Sequence, residues 1–373
     1  MTFIERNCDL TEAQEEEDMK IFRNVVIIFV AVLLAVAVFV FKTYRDAGEF
    51  KTLKPHSPGP CHIVTGVQSS EDITIDHETG LAFLSSDDRR PWFGGQRGKQ
   101  GAIFAYNLLS SSPHLINLTR DFAGEFHPHG IGLYIDKDGG RLLFVVNHAS
   151  GKQYIEIFKL AGDILMHLET VSGPLMFSPN DVLPVGPRQF YVTNDHGSRS
   201  KFDRMLEDYL QLGRSYVLYF DGKNFKKVDK GLKYANGINM SPNGDTVYVA
   251  STTGRAIEIY HRDKTSGSLK WEREIKLNTG PDNIEVDAHG RLWIGCHPKL
   301  LTFVKYAKDP SVHSPSQVIM IKIGEGNNDQ ITEVYLNNGL PISGSSVAAY
   351  YRHNLLIGSV FDPKFLICKV TGL

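Results

Sequence analysis

The chain has 373 residues, a formal charge of −2, four cysteines and 34 glycines. The near-neutral balance leaves no electrostatic footprint for nucleic acid, and four cysteines are too few for a disulfide scaffold. The length allows one large domain or two ordinary ones, and the glycine content suits a turn-rich β domain.

Residues 1–24 carry seven acidic side chains against Arg6, Lys20 and Arg23. They read as a solvated, mostly disordered acidic tail, with Cys8 as a free thiol. Val25 to Phe41 is an unbroken apolar run of 17 residues, at the short end of the range of about 17–25 for a membrane-spanning helix. Ile21 and Phe22 extend it if Arg23 snorkels. A cleaved signal peptide fits poorly, because the preceding region is long and acidic and no small-x-small site follows Phe41. A buried soluble helix fits poorly too, since the run has no polar face. The expectation is a signal anchor over 25–41.

Residues 42–60 read as a stalk ending in Pro55-His56-Ser57-Pro58-Gly59-Pro60. Lys42, Arg45, Lys51 and Lys54 outnumber Lys20 and Arg23, so a plain count of basic residues places the rest of the chain in the cytosol. Two features argue the reverse. Asn117-Leu118-Thr119 is a glycosylation sequon, and Cys61 and Cys368 sit where a disulfide would be useful, which needs an oxidising compartment. The expectation is a single-pass membrane protein with a cytosolic N-terminus. Its folded domain, 61–373, then lies in the endoplasmic reticulum lumen or at the cell surface.

From residue 61 one line recurs six times: a short polar pair, an apolar β-run, a turn and a second β-run. The pairs are Glu71-Asp72, His129-Gly130, Asn180-Asp181, Asn236-Gly237, Asp282-Asn283 and Ser345-Ser346, spaced 46 to 63 residues apart. A period of roughly 50 residues with several strands per repeat signals a β-propeller, and six repeats mean six blades. The fold class is therefore all-β, a six-bladed propeller behind an N-terminal transmembrane helix. The first strand of each blade lines the central channel, so the paired residues form a ring around the axis. A ring of carboxylates and amides, with no thiolate and one histidine, suits a hard cation such as calcium better than zinc.

Three further features complete the pass. The β-runs at Cys61–Val64 and Leu366–Val370 fit a shared first-and-last blade, fastened by a Cys61–Cys368 disulfide or holding two buried thiols. Cys296 is left as a buried free thiol. Between Arg199 and Leu212, Phe202, Met205, Leu206, Tyr209, Leu210 and Leu212 recur at helical spacing, so a short helix interrupts the third repeat as a lid near the channel mouth or a helix packed on the blades. The second sequon, Asn239-Met240-Ser241, falls on an inner strand and is expected to stay unoccupied. No Gly-x-Ser-x-Gly elbow or His-Glu-x-x-His motif is present.

Ser-Glu-Asp at 70–72, His-Pro-His-Gly-Ile at 127–131, Val-Val-Asn-His at 145–148 and Pro-Asn-Asp-Val at 179–182 resemble the paraoxonase/arylesterase family. So do Thr-Asn-Asp-His at 193–196, Ala-Asn-Gly-Ile-Asn at 235–239, Asp-Asn-Ile at 282–284, Gly-Cys-His-Pro at 295–298 and Leu-Leu-Ile-Gly at 355–358. The resemblance runs from about Pro60 to the C-terminus, with the motifs in order. It implies two calcium ions. One, catalytic, would be held by Glu71, Asn180, Asn236, Asp282 and Asn283; a deeper, structural one by Asp72, Asp181 and the backbone carbonyl of Ile131. It also implies a catalytic dyad of His129 and His148, and the Cys61–Cys368 disulfide. His127 stands where serum members usually have Asn, which suggests an altered channel mouth. Two functions follow: calcium-dependent hydrolysis of lactones or aryl esters, or a non-catalytic membrane-tethered chaperone or ion-channel accessory role on the same scaffold.

Overall fold

The computed structural model describes residues 3–371 apart from 94, 95, 97 and 150. The chain divides into two units, residues 1–46 and 47–373.

The first unit is a single helix, α1 (Phe3–Asp46). From Glu15 to Asp46 it is long and apolar enough, by length and composition, to cross a membrane. An all-apolar run is helical because a helix satisfies its own backbone where no water is present. The acidic tail, expected to be disordered, is helical from Phe3 onward. Its Ala, Gln, Glu and Lys residues are good helix formers, and Glu16 pairs with Lys20 one turn on at 2.7 Å. The side chain of Cys8 lies outside the described residues.

The second unit is the propeller. Six four-stranded antiparallel sheets follow one another around the ring. Blade one starts at Asp72–Asp76, blade two at Pro128–Ile135, blade three at Pro179–Pro184, blade four at Ala235–Met240, blade five at Gly280–Val286 and blade six at Ser345–Tyr351. In five of these inner strands the ladder slips at one place: between Pro128 and Ile131, Pro179 and Val182, Ala235 and Ile238, Pro281 and Ile284, and Ser345 and Ala348. The polar pairs at 129–130, 180–181, 236–237 and 282–283, and Ser346 in blade six, sit at these bulges. A bulge leaves residues unpaired and re-aims their side chains, so the repeat legible in the sequence is a repeated bulge at the channel.

Neighbouring inner strands approach closely there. A Cβ on Gly130 would lie 2.4 Å from Asp181 Oδ1, and one on Gly237 would lie 2.6 Å from the Asn283 Cα. Glycine at the second position in blades two and four is thus a packing requirement. The cores lie between blades. Phe144, Val146 and Ile157 of blade two pack with Phe190, Val192 and Tyr216 of blade three. Burying each such side chain contributes about 1.5–3 kcal/mol.

Blade six takes its fourth strand, Cys61–Thr65, from the start of the domain. Cys61 faces Cys368 in the ladder, and the two form a disulfide across 307 positions. Cys296 is buried and free. Residues 47–60, expected as a stalk, are laid against the propeller. His56 bridges Leu336, and Pro60 O accepts from the Lys369 N–H at 2.9 Å. Three short helices decorate the ring: α2 (Arg90–Phe93), α3 (Lys201–Leu210) and α4 (Leu300–Lys308). Lys299, at the N-cap of α4, makes no capping bond. Glu49 supplies one instead, accepting from Thr302 N at 3.0 Å and Thr302 Oγ1 at 2.7 Å.

Candidate active site

Glu71, Asp72, Asn180, Asp181, Asn236, Asp282 and Asn283 are all buried. Asn283 Nδ2 donates to Glu71 Oε1 at 3.0 Å and to Glu71 O at 3.1 Å. Asn236 Nδ2 donates at 3.1 Å to Thr252 Oγ1, whose own proton goes to Pro281 O at 2.7 Å. Asn180 Nδ2 faces Asp195 Oδ2 at 3.5 Å. Each of these neighbours can only accept, so each amide must present its nitrogen there. The consequence is that Asn180 Oδ1, Asn236 Oδ1, Asn283 Oδ1 and Glu71 Oε2 are all buried with no hydrogen-bond partner. A buried unsatisfied oxygen costs roughly 1–3 kcal/mol, and four in one ring fit a hard cation ligated by oxygen. Among the described residues no three His, Cys, Asp or Glu side chains gather to hold a metal by themselves.

Two of the second-position residues, Asp72 and Asp181, are buried carboxyls. Asp72 accepts backbone N–H groups from Ile131 at 2.7 Å and Ile73 at 2.9 Å; Asp181 accepts from Ile238 at 2.8 Å and Val182 at 2.7 Å. Burial pushes both carboxyls well above the usual range, and for Asp72 the charges of Asp181 and Glu71 add to the push. Burial also raises Glu71, but His129 and Arg89 outweigh it and bring it down to about 2.

The two predicted histidines meet. His129 Nδ1 lies 2.8 Å from His148 Nε2, and His129 Nε2 lies 3.4 Å from Glu71 Oε1. His148 Nδ1 bonds Gln153 Oε1. Burial and then the His129 charge lower His148 to about 3, so it is neutral. Its one proton goes to the Gln153 oxygen, and its Nε2 accepts from His129 Nδ1. His129 keeps 18% of its side-chain surface open, whereas Glu71, Asn180, Asn236, Asp282 and Asn283 are buried.

Several contributors carry no role in the sequence reading. Arg89 is buried with Nη2 3.9 Å from Glu71 Oε2. His297 Nε2 holds Asp282 Oδ2 at 2.8 Å and stacks on Phe303 with ring centres 3.8 Å apart. In blade six the contact comes from Ser346, not Ser345: Ser346 Oγ donates to Glu71 O at 2.6 Å, while Ser345 Oγ bonds Cys296 O and Gln317. Trp92 of α2 sets its ring edge-on to His148 and to His127, 5.5 and 5.6 Å away. His127, expected at an altered mouth, is instead buried, with Nδ1 2.9 Å from Asp87 Oδ1. The loop Arg89 to Lys99 falls partly outside the described residues.

The insert helix is tied to the ring. Asp208 of α3 holds His196 Nε2 at 3.2 Å, and His196 Nδ1 holds Asp195 Oδ1 at 2.7 Å, beside Asn180. Burial alone would lower His196, but the two carboxylates raise it to about 10. The helical spacing was legible, yet its apolar stripe faces outward: Phe202, Met205, Tyr209 and Leu210 are exposed while Glu207 is buried, accepting from Gly197 N at 2.9 Å. The polar side packs because it makes these bonds.

The sequon residue Asn117 is half-buried at a strand end, and its Oδ1 accepts from Thr119 N at 3.0 Å. Asn239 lies on the inner strand of blade four, and its Nδ2 donates to Ile284 O at 2.8 Å.

A family model described as Arylesterase matches residues 52–370. The chain belongs to the arylesterase family. It is 37% identical to human serum paraoxonase/arylesterase 2 over 83% of this chain and 88% of that one. Identity is 34% both to human serum paraoxonase/arylesterase 1 (91% and 98% covered) and to human serum paraoxonase/lactonase 3 (93% and 99% covered). Among solved structures, a luciferin-regenerating enzyme has the same fold, with a TM-score of 0.54, 13% identity, and 84% of this chain and 96% of that one covered.

Proposed function

We propose that this arylesterase-family member is a calcium-dependent hydrolase of lactones and aryl esters. The observation that carries the reading is the set of four partnerless buried oxygens beside His129. Glu71, Asn180, Asn236, Asp282 and Asn283 would hold one calcium; Asp72, Asp181 and the Ile131 carbonyl would hold a second. Bound at the first position, calcium polarises the ester carbonyl and stabilises the oxyanion.

The chain's own groups do the proton work. His129 Nε2 takes a proton from water, whose oxygen bonds to the acyl carbon. His148 Nε2 accepts the His129 Nδ1 proton in a hydrogen bond, which fixes the tautomer that leaves Nε2 basic. The acyl–oxygen bond then breaks, and His129 returns the proton to the leaving oxygen. A lactone yields a hydroxy acid, an aryl ester a phenol and an acid. Trp92 packs edge-on against His148 of the dyad.

Residues 25–41 would anchor the protein with the acidic segment 1–24 in the cytosol. The propeller would then lie in the endoplasmic reticulum lumen or at the surface, with a glycan on Asn117. The Cys61–Cys368 disulfide supports that side of the membrane. The non-catalytic reading, a chaperone or ion-channel accessory, shares the cation site, so turnover decides between them. The experiment is hydrolysis of a lactone panel and phenyl acetate by purified protein, with calcium, with chelator, and with Asn283→Ala. Turnover that needs both calcium and Asn283 supports the hydrolase. A folded, calcium-loaded protein without turnover overturns it.

A further inference from the structure

A second cleft lies at the opposite end of the propeller. Each inner strand leaves the ring at its first residues and runs about 13 Å to its turn, four residues at roughly 3.3 Å each. The turns of blades one, five and six enclose about 390 Å³ there, lined by His77, His289, Arg291, Arg352 and His353 with Tyr350 and Tyr351. The carboxylate among them, Asp287, is spent. It accepts Arg291 Nε at 2.7 Å, Trp293 Nε1 at 2.9 Å and the backbone N–H groups of His289 and Arg291 at 2.9 and 3.0 Å.

What remains is donors. Arg291 meets Asp287 through Nε, which leaves its Nη edge for a ligand. Its guanidinium lies 5.1 Å from the Tyr350 ring, and Tyr350 stacks on Trp293 at 4.6 Å, so the fork is held rigid. Arg352 has no carboxylate within ion-pair distance among the described residues. The hairpin that carries it turns through Arg352 at φ 44° and His353 at φ 67°. Two successive left-handed residues make the tight hairpin turn that Asn-Gly fills most cheaply, and residues with a side chain are disfavoured there. The strain holds two basic side chains at the rim of the cleft. Tyr351, also on the lining, is buried with its hydroxyl unpartnered.

We propose that this cleft binds a small phosphomonoester. Two guanidinium groups, with the exposed imidazoles of His289 and His353 beside them, match a dianion with three acceptor oxygens better than a carboxylate with two, and the volume leaves room for the esterified body. The site is separate from the candidate active site and does not depend on the hydrolase reading.

The test titrates glycerol phosphate into the full-length protein in detergent micelles by calorimetry, at constant ionic strength, with glycerol and chloride as controls. A parallel arm uses short-chain phosphatidic acid, which separates a lipid headgroup from a soluble phosphate as the source. Saturable binding is expected. Arg352→Gln, at an exposed hairpin tip, and Arg291→Gln should each weaken it about tenfold or more, while Asn283→Ala leaves it intact. Absence of saturable binding by both probes overturns the proposal. So does binding that survives both arginine substitutions, or binding that Asn283→Ala abolishes.

Discussion

His129 Nδ1 stands 2.8 Å from His148 Nε2, and the other nitrogen of His129 looks at Glu71 Oε1 from 3.4 Å. The order Glu71, His129, His148, Gln153 gives each proton one place. His148 is buried and neutral, so it can orient His129 but competes poorly for its proton.

His129→Gln is therefore expected to lower kcat for phenyl acetate by about 10²–10⁴, the usual worth of a general base, while calcium binding persists. His148→Gln should cost less, because Gln can still accept from His129 Nδ1. Equal losses in the two variants would contradict this division of roles, and steady-state kinetics on both reads it directly.

Chelation should destabilise the propeller. Without a cation the buried oxygens of Glu71, Asn180, Asn236 and Asn283 that accept no hydrogen bond stay unsatisfied, and burial disfavours the charged forms of Asp72 and Asp181. At calcium 100-fold above Kd, linkage adds about 2.7 kcal/mol. Melting temperatures with calcium and with chelator measure it. Asn283→Ala should narrow the gap, and an unchanged gap would remove Asn283 from the ligand set.

His196 gives a pH dependence. Its folded value is raised to about 10 by Asp195 and Asp208 despite burial, against about 6.5 unfolded. The stability it contributes is fully present below about pH 6.5 and is lost as pH rises through 10, a few kcal/mol in all. Wild type and His196→Gln should differ most in melting temperature near pH 6 and converge toward pH 10. Parallel curves would show that the pair with α3 contributes no linkage.

The Cys61–Cys368 disulfide closes a loop of 307 positions. On the chain-entropy account this is worth about 5 kcal/mol at most. The double substitution Cys61→Ser, Cys368→Ser should lower the denaturation midpoint while keeping the six-bladed fold, because the ladder between Cys61–Thr65 and Lys364–Lys369 survives. An unshifted midpoint in denaturant titration would show that the ring closes through the ladder alone.

The sequence by itself determined the strands, the number of blades and most of the ring. Alternation with a period of two is local, and six copies of one polar pair mark one place in six equivalent units. It could not determine what answers each ring residue. Asn283 meets Glu71 across 212 positions, Arg89 approaches Glu71 from the residue just before α2, and His297 and Asp195 hold Asp282 and Asn180. Those pairings exist only once the ring closes and the bulges turn the side chains toward one axis. The same holds for α3, where helical spacing announced an apolar stripe but not which side would face solvent. The polar side won because Glu207 and Asp208 found partners on the blades. Glu49, laid across the start of α4, made part of the expected stalk a cap. Periodicity is a property of one segment; satisfaction of buried polar groups is a property of the folded ring.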